Sequence, residues 1–167
     1  MPPTHPTSGA PADNELLATW KRLSALPLGT RLFSWVMSRR VRYTGSIRPH
    51  IRELAPGHAR VELRDRAAVR NHLGSIHAVA LMNLGEATGG LALLAWLPRT
   101  HRAIVTNLSM EYLKKARGTL VGRADLALPA ADFEGRFVSH AELVDADGDV
   151  VATCAAEWTL GRRPDKP

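Results

Sequence analysis

The stretch that decides the fold runs from His77 to Trp96 and has the sequence HAVALMNLGEATGGLALLAW. It is long enough for a helix and is apolar on nearly every side, and a helix of that kind belongs inside a protein rather than on its surface. A membrane span needs about 20 apolar residues, but Asn83, Glu86 and the Gly89–Gly90 pair interrupt this stretch. The sequence therefore predicts a buried central helix.

Segments with strand-like alternation lie on both sides of this helix. From Arg42 onward the apolar period changes to two, which predicts two strands before the helix. After Pro98 the same pattern predicts four successive strands, at residues 103–114, 118–128, 136–144 and 150–160. Strands that follow one another without intervening helices form antiparallel sheets. The Asp-Gly step within Asp145–Asp149 is typical of a tight hairpin between the last two strands.

Two amphipathic segments precede the strands. Residues 14–26 and 30–41 carry apolar side chains at helical spacing, which predicts two N-terminal helices. The start of the chain lacks the basic residues and the apolar run of a secretory signal. The predicted organisation is a disordered leader, a helical extension, a main domain and a disordered tail, at residues 1–13, 14–41, 42–161 and 162–167.

The composition is that of one ordinary globular domain. The chain has 167 residues, of which 45% are hydrophobic, and a formal net charge of +6. Its basic residues are scattered and accompany no known nucleic-acid-binding motif, so we expect neither a nucleic-acid partner nor a membrane partner. A single cysteine, Cys154, cannot form an intramolecular disulfide, which fits a cytoplasmic location. We expect Cys154 to be a small core residue on a strand.

A curved antiparallel sheet wrapped around the central helix satisfies these constraints, because it hides an apolar helix within a short chain. We therefore predict an α+β fold of this type with two additional N-terminal helices. Such a sheet leaves an exposed edge strand, and pairing two subunits through their edges covers it. The expected assembly is a homodimer or a dimer of dimers.

Three polar residues stand out in or just before the central helix: Asn71, His77 and Glu86. A carboxylate within an apolar helix is costly unless it is paired, hydrogen-bonded or facing a wet cleft. Glu86 is therefore either a structural carboxylate satisfied by its neighbours or a functional group. Taken alone, His77 fits a backbone-bonded residue at a helix start, and Asn71 fits a loop or cap residue.

The order and spacing of these three residues resemble a known family. Five residues separate Asn71 from His77, eight separate His77 from Glu86, and Gly74 lies in the first interval. Hotdog-fold thioesterases of the phenylacetate-degradation type carry Asn, His-Gly-Gly and an acidic residue at the same intervals. The resemblance implies a hotdog fold and the hydrolysis of acyl-CoA thioesters.

The resemblance extends over about residues 42–160 and includes the segment MEYLKKARG at residues 110–118. One departure lies at the start of the helix, where this chain has His77-Ala78-Val79 in place of His-Gly-Gly. That sequence is closer to a branch of the superfamily whose function is not characterised. An alanine still supplies a backbone N–H at this position, although its methyl group occupies space that glycine leaves open.

The resemblance also implies a role for each residue, with no cofactor beyond the coenzyme A of the substrate. The thioester carbonyl would lie against the Ala78 N–H at the helix N-terminus. Asn71 and His77 would orient the carbonyl or the attacking water, and Glu86 would act as general base or as nucleophile. Further substrate contacts are expected from a turn glycine and from three cations near the coenzyme A phosphates, namely Gly74, Lys114, Lys115 and Arg117. Those cations could equally form a solvated basic turn.

Helix geometry bears on how the catalytic groups could meet. His77 and Glu86 are nine positions apart, which places them about half a turn out of phase and about 13 Å apart along a helix. They cannot readily serve one site within one chain. A two-fold dimer that sets the helix start of one subunit against the carboxylate of the other resolves this, and the resemblance implies the same composite site. Two alternatives stay open: a hotdog dehydratase or hydratase, and a non-catalytic protein that binds acyl-CoA or lipid.

Overall fold

A six-stranded antiparallel sheet curves around one central helix in the computed structural model, which describes residues 14–164. The elements, in chain order, are α1 (Glu15–Ser24), α2 (Gly29–Arg40), α3 (Arg42–Ser46), β1 (His50–Ala55), β2 (His58–Leu63), a 3-10 helix (Ala67–Val69), α4 (Ala78–Leu94), β3 (His101–Tyr112), β4 (Leu120–Asp125), β5 (Gly135–Val144) and β6 (Val150–Arg162). The strand order is β1-β2-β4-β5-β6-β3, and α4 contacts all six strands. The predicted α+β architecture is therefore confirmed.

Glycines allow the sheet to approach α4 closely. A Cβ atom placed on Gly85 of α4 would lie 2.5 Å from the Cβ of Cys154 on β6. A Cβ on Gly122 of β4 would lie 2.3 Å from the Oγ1 of Thr88 on α4. Because interiors are packed to near van der Waals contact, neither glycine has room for a methyl group. No helix among residues 14–164 is long and apolar enough to cross a membrane.

Asn14 joins the N-terminal helices to the end of α4. Its Oδ1 accepts a hydrogen bond from the Leu17 N–H at 2.8 Å and so caps α1. Its Nδ2 donates to the carbonyl oxygens of Leu94 and Leu97, each at 2.8 Å, where α4 runs out of intrahelical donors. One buried side chain therefore satisfies backbone groups at the ends of two helices. Both predicted N-terminal helices are confirmed.

The strand predicted to begin at Arg42 is wrong, because residues 42–46 form α3 and β1 begins only at His50. α3 packs tightly against the end of α2. A Cβ atom on Gly45 would lie 2.2 Å from the carbonyl oxygen of Ser38, so this approach requires glycine. The contact between the two helices overrides the local alternation of apolar residues that predicted a strand.

Regular structure extends further toward the C-terminus than predicted. β6 continues to Arg162, and Arg163 donates two hydrogen bonds of 2.8 Å to backbone carbonyls at the start of β3. The predicted hairpin is confirmed, with Gly148 at a φ of 90°. The predicted leader at residues 1–13, like residues 165–167, lies outside the described residues.

β3 is an edge strand that pairs with β6 and with no other strand of residues 14–164. It is 12 residues long. Four large side chains on it are exposed: Ile104, Val105, Leu108 and Tyr112. A long and partly apolar edge of this kind favours pairing with a strand of another chain.

Candidate active site

His77 caps the N-terminus of α4. Its Nδ1 accepts a hydrogen bond from the Val79 N–H at 3.1 Å, and its backbone N–H donates to the Val69 carbonyl at 2.8 Å. The exposed Ala78 N–H, at the first position of the helix, has no acceptor in the part of the chain that the structure describes. One free backbone donor therefore lies at the positive end of the helix dipole, where it can bind an oxyanion.

Asn71 organises the loop that leads into α4. Its Oδ1 accepts hydrogen bonds from the Leu73 N–H at 2.9 Å and from the N–H and hydroxyl of Ser75, each at 3.2 Å. Gly74 completes this turn with a φ of 71°, a conformation that favours glycine. The Asn71 amide nitrogen makes no hydrogen bond to residues 14–164 and is the part of the side chain that can reach a ligand.

The turn after β3 lies against this loop. The Ile76 N–H donates to the Ala116 carbonyl at 2.9 Å, which fixes the turn beside the start of α4. Lys115 and Arg117 flank Ala116 and are exposed. Neither has an ion-pair partner within the described residues, so two free cations lie near the helix start.

Lys114, the third cation of the predicted set, is already engaged. Its Nζ forms ion pairs with Asp145 at 2.9 Å and with Asp149 at 2.5 Å. The hydrogen bonds that its ammonium group donates to Asp149 and Asp145 raise the pKa of Lys114 well above its usual range. Lys114 therefore ties the turn to the β5–β6 hairpin, while Lys115 and Arg117 remain available to an anionic ligand.

Glu86 lies in the middle of α4 and is half-buried. Burial raises the pKa of its carboxyl, and no charged or hydrogen-bonding group among residues 14–164 offsets that effect. The carboxylate lines a cavity of about 100 Å³ with mostly apolar walls. Burial, and after it the charge of Glu86, raise the pKa of the Cys154 thiol to about 11. The structure thus offers Glu86 no partner that would make it a structural ion-pair member.

Tyr112 is a residue near the helix start that the sequence did not single out. Its hydroxyl donates to the Ala78 carbonyl at 3.3 Å, and its ring is exposed at the end of β3. The only signal was its position within the segment 110–118. Tertiary structure alone brings the Tyr112 hydroxyl, at the end of β3, to the start of α4.

The structure brings the predicted residues together in one group and leaves Glu86 apart from it. Asn71, His77, Ala78, Lys115 and Arg117 lie at or beside the N-terminus of α4. Glu86 lies on the same helix nine positions after His77, which corresponds to about two and a half turns and about 13 Å along the axis. No group of three or more His, Cys, Asp or Glu side chains in residues 14–164 is placed to hold a metal ion.

A protein-family model matches most of this chain in sequence. The family model for a domain of unknown function (DUF4442) matches residues 29–160. That range includes α2, α3, α4 and the sheet up to Leu160 of β6. No curated protein matches the sequence at a significant level.

Solved structures with the same fold include several thioesterase proteins. A structural-genomics protein is 28% identical, with a TM-score of 0.78 over 89% of this chain and 99% of that chain. A protein of unknown function from Pseudomonas aeruginosa, a probable thioesterase, is 25% identical, with a TM-score of 0.68 over 83% and 97% of the two chains. A hypothetical thioesterase protein from Streptococcus pneumoniae, solved with coenzyme A, has the same fold at 18% identity and a TM-score of 0.60 over 70% and 91%. The predicted hotdog fold and the resemblance to hotdog thioesterases are confirmed.

Proposed function

Because this chain belongs to the DUF4442 family and has the fold of hotdog thioesterases, we propose that it hydrolyses acyl-CoA thioesters in a site shared by two subunits. The observation that carries this proposal is the state of Glu86, a half-buried carboxylate with a raised pKa and no partner within residues 14–164. Such a group is costly to keep in an apolar setting. A carboxylate whose pKa is moved toward neutrality is a better general base.

The second half of the site comes from dimerisation. The exposed edge of β3 supports a two-fold dimer in which the β3 strands of two subunits pair. Each reaction centre then takes the Ala78 N–H from one subunit and Glu86 from the other, and the two-fold axis produces two equivalent centres. The expected mass in solution is twice the 18.2 kDa of one chain, or a larger multiple for a dimer of dimers.

Hydrolysis follows from these groups in two steps. Glu86 takes a proton from water, and the hydroxide attacks the thioester carbonyl carbon. The resulting oxyanion accepts a hydrogen bond from the Ala78 N–H of the other subunit, supported by the helix dipole. The C–S bond then breaks, and the coenzyme A thiolate takes the proton held by Glu86. The products are a carboxylic acid and free coenzyme A.

Two side chains orient the reactants at the helix start. The Nδ1 of His77 accepts a hydrogen bond, so its neutral ring carries the proton on Nε2 and can donate it to the carbonyl or to the water. The free amide nitrogen of Asn71 is a second donor. Direct attack by Glu86, through a mixed anhydride, is the alternative mechanism. A single turnover in isotopically labelled water separates them, since only direct attack leaves the first product oxygen unlabelled.

Lys115 and Arg117 supply the positive charge that coenzyme A phosphates require. Both are exposed beside the helix start, and neither is consumed by an ion pair within the described residues. The pneumococcal hypothetical thioesterase of the same fold is solved with coenzyme A, which supports coenzyme A as the leaving group here. Lys114 contributes mainly by holding the turn in place through Asp145 and Asp149.

The proposal is tested by removing one backbone donor. Proline suits the first position of a helix, and the ψ of 138° at His77 is compatible with a following proline. Ala78→Pro should therefore keep α4 while lowering kcat by about 10²–10³. Ala78→Gly is the matched control, since it changes the side chain but keeps the N–H. Activity is measured as thiol release from acyl-CoA substrates.

Other outcomes would point to the alternatives. If Ala78→Pro turned over substrate at the wild-type rate, the Ala78 N–H at the start of α4 would have no part in the mechanism. A wild-type protein that binds acyl-CoA without releasing thiol would be a binding protein, which the missing glycines at Ala78 and Val79 favour. A change in the unsaturation of the acyl chain, without thiol release, would identify a dehydratase or hydratase.

A further inference from the structure

Two neighbouring cavities lie between α4 and the N-terminal helices. The first, of about 100 Å³, is lined by Glu86 and is bounded by α2, α3, the start of β1 and α4. The second, of about 420 Å³, lies between α1, α2 and the end of α4. Met37 on α2 and Leu94 on α4 line both cavities, and we call this shared pair the junction.

The first cavity follows the axis of α4. Glu86, Gly90 and Leu94 all line it, and residues spaced by four lie on one stripe of a helix that here spans about 12 Å. Apart from Glu86, its only polar lining residues are Ser38 and Thr44. The cavity is therefore a narrow apolar groove that leads away from the carboxylate.

We propose that this groove binds the acyl chain of the substrate, that the substrate is a fatty acyl-CoA, and that Met37 and Leu94 set the length of chain it accepts. The inference rests on the proposed function, since it places the thioester carbon at Glu86. The first cavity holds only about three water volumes, so it takes the first few carbons of a chain. A longer chain must pass between Met37 and Leu94.

The second cavity suits the distal part of such a chain. Its volume lies within the range of ligand pockets, about 300–1,000 Å³. Its apolar walls come from both helical layers: Leu16, Phe33, Val36 and Leu97. Its charged groups include Arg40 and Arg99, and the Arg99 side chain is 66% exposed in an ion pair with Glu15. An apolar chain can thus lie on the inner walls while the charges stay in water.

Met37 and Leu94 can limit how far an acyl chain extends from the first cavity into the second. Leu94 is 39% exposed. Met37 is only partly buried where it packs against the core, and a methionine side chain is flexible and adapts its shape to what it contacts. Each methylene group that is buried beyond the junction should add about 0.8 kcal/mol to binding. The N-terminal helices are therefore part of the substrate site and select its chain length.

A tryptophan at the junction tests the proposal. Isothermal titration calorimetry on the full chain measures the binding of dodecyl-CoA and butyl-CoA thioethers, which cannot be hydrolysed. Leu94→Trp should weaken dodecyl-CoA binding by about tenfold or more, equivalent to about 1.4 kcal/mol, and weaken butyl-CoA binding far less, because a four-carbon chain ends before the junction. Leu32→Trp is the matched control, because Leu32 is 46% exposed on α2 and lines neither cavity.

A second variant keeps the proposal testable if Leu94→Trp fails to fold. Met37→Ala widens the junction, so the affinity for hexadecyl-CoA relative to dodecyl-CoA should rise. The proposal that this groove binds the acyl chain would be overturned by equal effects of Leu94→Trp on both thioethers. It would also be overturned if neither variant changed the chain-length preference.

The proposed acyl-chain groove and the proposed hydrolysis can be rejected independently of each other. Chain-length-dependent thioether binding that Leu94→Trp abolishes, without thiol release from any acyl-CoA, would support the groove and reject hydrolysis. Thiol release with a chain-length profile that neither variant changes would support hydrolysis and reject the groove.

Discussion

The two sides of α4 are built differently. On the side of the sheet, Gly85 and Thr88 meet Cys154 and Gly122 so closely that a methyl group has no space. On the side of the N-terminal helices, Glu86 faces apolar walls across a cavity and has no partner within the described part of the chain. We call these the closed side and the open side of α4.

This difference shows how one helix can serve both stability and function. The closed side gains dispersion contacts along its whole length, because small residues bring backbone and strands together. The open side forgoes such contacts and keeps a carboxylate that burial destabilises. This cost at Glu86 is the reason for the proposal that the open side binds substrate and takes part in catalysis.

The largest expected effect is on the open side. Glu86→Gln should lower kcat by about 10²–10⁴, the usual contribution of a general base. In the wild type, kcat/KM should rise with pH through the Glu86 pKa, which burial places above its ordinary value of 4.5. The pH profile of thiol release checks both statements. Unchanged turnover in Glu86→Gln would assign the base to another residue.

The same variant should also gain stability at neutral pH. Because the folded pKa of Glu86 is raised, the folded state holds the proton more tightly, and wild-type stability falls as pH rises through that pKa. Glu86→Gln carries no charge at this position and avoids this loss, so its Tm at pH 7 should exceed that of the wild type. The difference should vanish in acid below pH 4.5. Lower activity together with higher Tm distinguishes a functional carboxylate from a structural one.

A smaller effect is expected on the closed side. A Cβ atom on residue 85 would lie 2.5 Å from the Cβ and 2.9 Å from the Sγ of Cys154. The overpacking should cost about 1–3 kcal/mol, against a gain of about 1 kcal/mol in helix propensity. Gly85→Ala should therefore be destabilised in denaturant unfolding. Val79→Ala, at an exposed position of α4, is the control and should change stability by less than about 0.5 kcal/mol.

The smallest effect is expected at the turn beside the helix start. Exposed charges contribute about 0.2–1 kcal/mol each, so Lys115→Gln and Arg117→Gln should each raise the KM for acyl-CoA by no more than about fivefold. Added salt should reduce the difference, since it screens exposed charges. Lys114→Gln should raise KM less than either of them, because that side chain is held by the hairpin carboxylates and acts only through the position of the turn. An equal effect of all three variants would mean that general surface charge, rather than this turn, binds the phosphates.

Local patterns in the sequence predicted much of the fold. The all-apolar stretch predicted α4, the alternating segments predicted β3 to β6, and Asp-Gly predicted the last hairpin, because each feature depends on neighbouring residues. α3 was missed because helix and strand compete there, and the contact of Gly45 with α2 decides between them. The difference between the closed and open sides of α4 could not be predicted either, since an apolar helix has no polar face that would distinguish one side from the other.

The part of the candidate site that could be predicted is the part where a residue type is unusual for its surroundings. Glu86 was singled out because a carboxylate within an apolar helix needs an explanation, and its raised pKa agrees with that reasoning. Tyr112 could not be found in this way, because tertiary structure brings its hydroxyl to the Ala78 carbonyl. The cavities on either side of Met37 and Leu94 also depend on contacts between distant segments. The roles of the individual site residues stay predictions.

The central claim is that each site combines the helix start of one subunit with Glu86 of the other, and mixed dimers test it most directly. Ala78→Pro and Glu86→Gln proteins, each nearly inactive alone, are mixed in equal amounts, allowed to exchange subunits, and assayed for thiol release. A shared site predicts recovery to about a quarter of wild-type activity, because half of the dimers are mixed and each has one intact site of two. A site contained within one chain predicts no recovery, and that result would contradict the account.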